Sequence, residues 1–158
     1  MALEGTSPHT MSDRPAPVGG RRVALVRAMY LVLWLLAVSV LAQAIFAGLF
    51  LDGHDTWRDW HAVNGMVLLP LLALVQVVLA VLVWRPGRGP GWPAIASVGL
   101  LVAILLQIAM GQAGQLAVHV PLGVAIVGLV SALLGRTRNL TRPQPTRSHP
   151  RRRRWLGI

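Results

Sequence analysis

Two copies of one polar pattern, each set in apolar sequence, constrain this chain more than any other feature. In the first copy Gln43 is followed after 18 residues by His61, and Gly65 comes one helical turn later. In the second copy Gln107 is followed after 12 residues by His119, again with a glycine four positions on. A small residue also stands four positions after each glutamine. An internal repeat of this kind predicts a duplicated structural unit, here a helical hairpin.

Four apolar runs surround the two copies. The 158 residues are 54% hydrophobic and only 13% charged, which is too apolar for a soluble domain. A hydrocarbon core of ~30 Å is crossed by ~20 helical residues, and helices satisfy their own backbone hydrogen bonds in lipid. We therefore predict an all-α integral membrane protein, an antiparallel four-helix transmembrane bundle built from two repeated hairpins. Its domain covers 21–135, with spans at about 28–51, 61–84, 93–111 and 117–134.

A cleavable secretory signal is the competing interpretation of the first run, because Ala42-Gln43-Ala44 fits the small-x-small cleavage pattern. The apolar stretch continues past this site to Phe50, and its end belongs to the first copy of the repeat, so we predict an uncleaved anchor. In the later runs Pro70 is expected to bend the second helix, and Pro121 to lie in the first turn of the fourth. Gly135 is expected to cap the end of the fourth helix.

The distribution of arginine predicts the orientation in the cytoplasmic membrane. All fifteen basic residues are arginine, and only Arg58 lies on the opposite side from the other fourteen. The positive-inside rule then places both termini in the cytoplasm and both histidines near the outer face. The segments 1–20 and 136–158 are predicted to be disordered tails, and the second is basic enough to contact anionic lipid. The alternative is that the arginines of the second tail serve only as topology determinants during insertion. The net charge of +10 does not indicate nucleic acid binding, since no folded nucleic-acid reader accompanies it.

The two histidines are the candidate metal ligands. No acidic or basic residue falls inside the four runs apart from Arg27 at a margin, which argues against ion-coupled transport. In an antiparallel bundle the second and fourth helices face each other, so His61 and His119 would point at one central space. An iron porphyrin takes axial ligands on opposite faces, which predicts heme b as the cofactor. Two histidines alone make a poor zinc site, and the chain has no cysteine.

Four residues of the repeat are candidate contacts of the heme. Gly65 and Gly123 lie one turn after each histidine on the same helix face and would give a flat macrocycle room. Gln43 and Gln107 would hydrogen-bond the free N–H of each ligating imidazole and fix its tautomer.

Arg58 is a further candidate, because it lies one turn before His61 and would pair with a heme propionate. The alternative is a solvated loop charge beside Asp55 or Asp59.

The Gln-x-x-x-small, loop, His-x-x-x-Gly hairpin, present twice, resembles one four-helix half of the heme A synthase family over about residues 41–134. In that family each half carries a histidine on its second and fourth helices, and such pairs hold a b-type heme near the outer face. The resemblance implies that role for His61 and His119, and no further role. The chain is also similar to a family of small, uncharacterised four-helix bacterial membrane proteins.

Three departures separate the chain from the synthases. It has one half instead of two, Arg58 where they carry glutamate, and Ala62 where they carry arginine. The resemblance therefore does not imply synthase activity.

Two function hypotheses remain open. The first is a heme b-binding membrane protein that serves electron transfer, exchanges electrons with a membrane redox partner or a quinone, and has no catalytic residue of its own. The second is a non-catalytic scaffold or accessory subunit without a cofactor, because Gln and Asn also hydrogen-bond helices together in membranes. An absorption spectrum discriminates between them.

Overall fold

The computed structural model describes residues 18–141, and every regular element in that range is helical. The elements are α1 Val18–Leu51, α2 Thr56–Val63, a π-helical turn Asn64–Leu68, α3 Leu69–Trp84, α4 Trp92–Gln112 and α5 Leu116–Thr141. Because α2, the π turn and α3 follow one another without a break, the described chain contains four long helices. All four are long and apolar enough to cross a membrane. The predicted all-helical fold with four such helices is confirmed.

Each long helix packs against two others. α1 contacts α3 and α5, and α4 contacts the same two helices. The interior between them holds two clusters of buried apolar side chains. The larger is aliphatic and includes Leu33, Leu36, Leu100, Ile104 and Val130. The smaller consists of Met29, Ala80 and Ala94. Many other large apolar side chains face outward along all four helices, an extent of exposed apolar surface that suits contact with lipid.

Helices α1 and α5 are longer than their predicted spans, α1 at its N-terminal end and α5 at its C-terminal end, and both of these ends carry arginine. α1 begins at Val18, and α5 runs through Gly135 to Thr141, so this glycine does not cap the helix. The last three residues of the predicted disordered tail 1–20 and the first six of the predicted disordered tail 136–158 are thus helical. The reason is packing and propensity: Leu140 lies against the smaller cluster, and arginine is a good helix former. Residues 1–17 and 142–158, which contain the rest of both predicted tails, lie outside the described residues.

Two prolines interrupt helical hydrogen bonding. The π turn ends just before Pro70, and the N–H of Leu69 donates to the carbonyl of Asn64, five residues earlier. A proline ring crowds the carbonyl four residues before it, and the wider π turn relieves that crowding. The bend predicted at Pro70 therefore corresponds to a π turn. Pro121 lies in the second turn of α5 and not in its first, because α5 begins at Leu116.

Candidate functional site

Both histidines make the same contact with the glutamine of their own copy. Nδ1 of His61 lies 3.1 Å from the backbone carbonyl oxygen of Gln43. Nδ1 of His119 lies 2.9 Å from the backbone carbonyl oxygen of Gln107. A carbonyl oxygen only accepts, so in a neutral imidazole Nδ1 must carry the proton. Nε2 of each ring then carries the lone pair, which is the form in which imidazole binds a metal. The glutamine contributes its main-chain carbonyl to this contact, whereas the sequence did not distinguish main chain from side chain.

The glycine one turn after each histidine lies against the glutamine amide. A Cβ atom at Gly65 would lie 2.6 Å from Nε2 of Gln43, and one at Gly123 would lie 3.0 Å from Nε2 of Gln107. The space that the sequence suggested for a macrocycle beside these glycines is therefore occupied by glutamine side chains. Both glycines instead allow two helices to approach closely at the level of the histidines.

In the first copy the glutamine amide belongs to a partly buried hydrogen-bond network. Nε2 of Gln43 donates to the carbonyl of His61 at 3.0 Å, and Oε1 accepts from Nδ2 of Asn64 at 2.7 Å. Nδ2 of Asn64 also donates to the carbonyl of Ser39 at 2.9 Å, and Oδ1 accepts from the Ser39 hydroxyl at 2.6 Å. Ser39 was not predicted from the sequence. It could have been found from its position one helical turn before Gln43, on the same face of α1.

The second copy lacks this network. Ala103 and Leu122 stand at the positions that correspond to Ser39 and Asn64. As a result, Oε1 of Gln107 is buried and has no hydrogen-bond partner within residues 18–141. The two copies thus agree at the histidine and its carbonyl partner and differ in how the glutamine amide is satisfied.

The two imidazole rings also contact different neighbours. His119 lies against the backbone of α4, because a Cβ atom at Gly111 would be 2.8 Å from its Cε1. The corresponding residue in the first copy, Ala47, does have a Cβ atom. His61 instead meets the ring of Phe50 edge-on, with ring centroids 5.4 Å apart and planes at 71°. The small residue that follows each glutamine by four positions therefore makes room for a ring in the second copy.

Arg58 lies beside Asp55, as expected for a solvated loop charge. Its Nη2 lies 3.8 Å from Oδ1 of Asp55, and the two side chains are 68% and 92% exposed. Its guanidinium carbon is also 5.6 Å from the ring centroid of Phe50. An exposed pair of this kind contributes at most about 1 kcal/mol, so little holds Arg58 to this carboxylate.

The donor set at the two histidines is small. Among the described residues, no group of three or more His, Asp or Glu side chains comes together to hold a metal ion. Two imidazoles suit an iron that already has four porphyrin ligands, whereas zinc requires three or four ligands from the protein.

Compared with protein-family models, curated proteins and solved structures, the chain matches none. The resemblance to one half of the heme A synthase family therefore stays a prediction that rests on the repeated hairpin motif.

Proposed function

We propose that this chain is a multi-pass protein of the cytoplasmic membrane, whose four long helices form an antiparallel bundle of two hairpins with both termini in the cytoplasm. The arginine distribution supports the orientation, because fourteen of the fifteen lie on one side of the apolar runs. The hydrogen bonds of Gln43 with His61 and of Gln107 with His119 support the hairpins. Each joins the end of one long helix to the start of the next.

Near the outer face the bundle would hold one heme b, with His61 and His119 as the residues that bind its iron. The observation that carries this proposal is the hydrogen bond from each Nδ1 to a main-chain carbonyl, because it leaves both Nε2 atoms as neutral donors. Carbonyl partners of this kind fix the tautomer and the ring orientation of metal-binding histidines. Heme ligated in this way supplies one-electron chemistry. His61 and His119 would ligate it, and the main-chain carbonyls of Gln43 and Gln107 would orient their rings.

Arg58 lies one turn before His61 and would pair with a propionate at the rim of this site, replacing its weak contact with Asp55. A site near one membrane surface would exchange electrons with another membrane redox protein or with a quinone.

A scaffold without a cofactor is the second candidate, and one observation favours it. In the first copy the side chains of Ser39 and Asn64 and the amide of Gln43 satisfy one another within the protein. In such a hairpin these polar side chains join the two helices without any cofactor.

Removing the ligands one at a time tests the heme proposal. The purified protein in nanodiscs is supplied with heme, and bound heme per chain is measured. We expect His61→Ala and His119→Ala each to lose nearly all bound heme. His54→Ala, in an exposed loop, should retain it. Gln107→Leu should also retain it, because the substitution keeps the main-chain carbonyl that faces His119.

Retention of a low-spin bis-histidine spectrum in either ligand variant would exclude this ligand pair. Failure of the wild-type protein to bind heme would leave the scaffold as the better account. Size-exclusion chromatography and circular dichroism establish that each variant is folded.

A further inference from the structure

Three fully buried polar side chains lie on three different helices, well away from the histidines in sequence. Gln76 on α3, Ser97 on α4 and Thr137 on α5 are each 0% exposed. Both amide atoms of Gln76 and the hydroxyl oxygens of the other two have no hydrogen-bond partner among residues 18–141. A buried polar group without a partner costs about 1–3 kcal/mol, so each of these atoms is expected to have a partner that pairs with it.

Gln76 and Ser97 lie at a similar level on adjoining helices. The turn between α3 and α4 brings Trp84 against Gly91, where a Cβ atom would lie 2.9 Å from the indole ring. Gln76 is eight residues before Trp84 and Ser97 is six residues after Gly91. At ~1.5 Å per residue they stand ~12 Å and ~9 Å from that contact. Because α3 and α4 pack directly together, the two side chains belong to one layer of the interior.

Thr137 lies on α5 towards the same end. The guanidinium of its neighbour Arg136 stacks 5.5 Å from the ring centroid of Trp92, at the start of α4. Ser97 is five residues further along α4, so Thr137 lies roughly 7 Å nearer the end of the bundle than Ser97 does.

The hydroxyl groups of Ser97 and Thr137 do not hydrogen-bond a carbonyl of their own helix. Ser131, which is exposed on α5, donates to the carbonyl of Val127 four residues earlier, at 2.8 Å. Bonding to the helix's own carbonyls is common for these residue types. Ser97 and Thr137 are buried and make no such bond. Their hydroxyls are therefore available to a partner in the interior.

We propose that Gln76 and Ser97 form a binding site for internal water, hereafter the polar layer, at the end of the bundle remote from the histidines; Thr137 lies outside this layer. A water molecule can donate two hydrogen bonds and accept two, which suits the amide N–H and carbonyl of Gln76 and the hydroxyl of Ser97. Buried waters make about three hydrogen bonds each to groups of this kind. Neither side chain carries a charge, so a neutral ligand fits better than an ion. The proposal does not depend on heme.

Hydroxyl-radical footprinting in nanodiscs tests the site directly, because radiolysis of a bound water oxidises the side chains beside it. Met29 is the reporter. It is 0% exposed and packs with Ala80 and Ala94, which lie four residues after Gln76 and three before Ser97. We expect Met29 to be oxidised in the wild-type protein despite its burial, and several-fold more slowly in the double variant Gln76→Leu/Ser97→Ala.

Trp60, which is exposed near the start of α2 beside the loop, serves as the internal standard for radical dose. Ser131→Ala is the matched control, because it removes a hydroxyl that already bonds within its own helix, and Met29 should be oxidised as in the wild type. Equal oxidation of Met29 in the wild type and in the double variant would overturn the proposal.

Thermal unfolding of the same variants gives a second readout. If water joins the two side chains, Gln76→Leu and Ser97→Ala each lower the Tm, and the double variant is no less stable than the weaker single one. If the groups are merely unpaired, each substitution removes an unsatisfied polar group and raises the Tm additively. That second pattern would contradict the site.

Discussion

The two glycines that follow the histidines have a structural role that can be measured by adding one methyl group. At Gly65 the new methyl would meet Nε2 of Gln43. That atom donates a hydrogen bond to the carbonyl of His61, and Oε1 of the same amide accepts one from Asn64. Displacing that amide breaks both hydrogen bonds. We expect Gly65→Ala to lower the free energy of unfolding by about 1–3 kcal/mol.

Gly48 provides the matched control on α1. A Cβ atom there would meet nothing within 4 Å, and the position is helical. Gly48→Ala should be neutral, or stabilising by about 0.5–1 kcal/mol through helix propensity. Chemical denaturation in detergent micelles measures both variants. If Gly65→Ala and Gly48→Ala had the same free energy of unfolding, the close contact between Gly65 and Gln43 would not matter for stability.

At this scale the sequence predicts which residues meet and not which atoms do. The spacing of Gln43, His61 and Gly65 along two consecutive helices places them at one level, because residues one turn apart share a helix face. Whether the amide or the carbonyl of the glutamine reaches the imidazole depends on how far apart the two helices lie. That distance is set by packing along their whole length, and by Asn64 and Ser39 in particular.

At the scale of the helix, apolar length predicts that four long helices exist but does not predict where they end. Hydropathy measures the part suited to lipid, whereas α5 continues to Thr141 because Leu140 has apolar neighbours to pack against. Pro70 likewise marks where helical bonding must be disturbed, but a kink and a π turn are both open to a proline. The choice of the π turn keeps Asn64 and Gly65 facing the interior, where both are buried.

A π turn contains one residue more than the α-helix it interrupts, which leads to a prediction about deletions. In a Pro70→Ala background, deleting Val67 from the π turn should leave a regular α-helix with both flanking faces in register, and the protein should fold. Deleting Val78 from α3 rotates one part of the helix against the other by about 100°, and should abolish folding. Both valines are exposed, so neither deletion removes core packing.

The yield of monodisperse protein in detergent and the Tm measure the outcome. If the two deletions lowered the yield and the Tm equally, the π turn would not be one extra residue inserted into a regular α-helix.

At the scale of the whole molecule, charge predicts the orientation. Reporter fusions after residue 55 and after residue 140 should place the first outside and the second in the cytoplasm, because fourteen of fifteen arginines lie on the side of the second. The opposite result would reverse the orientation and move the proposed heme site to the inner face.

The absorption spectrum of the purified wild-type protein tests the central claim most directly. With His61 and His119 on the two faces of one iron, the protein should show a Soret band when oxidised, and sharp α and β bands after reduction with dithionite. Carbon monoxide should leave the reduced spectrum unchanged, because both axial positions are filled. A colourless protein after heme has been supplied would contradict the claim, and so would a reduced spectrum that shifts with carbon monoxide.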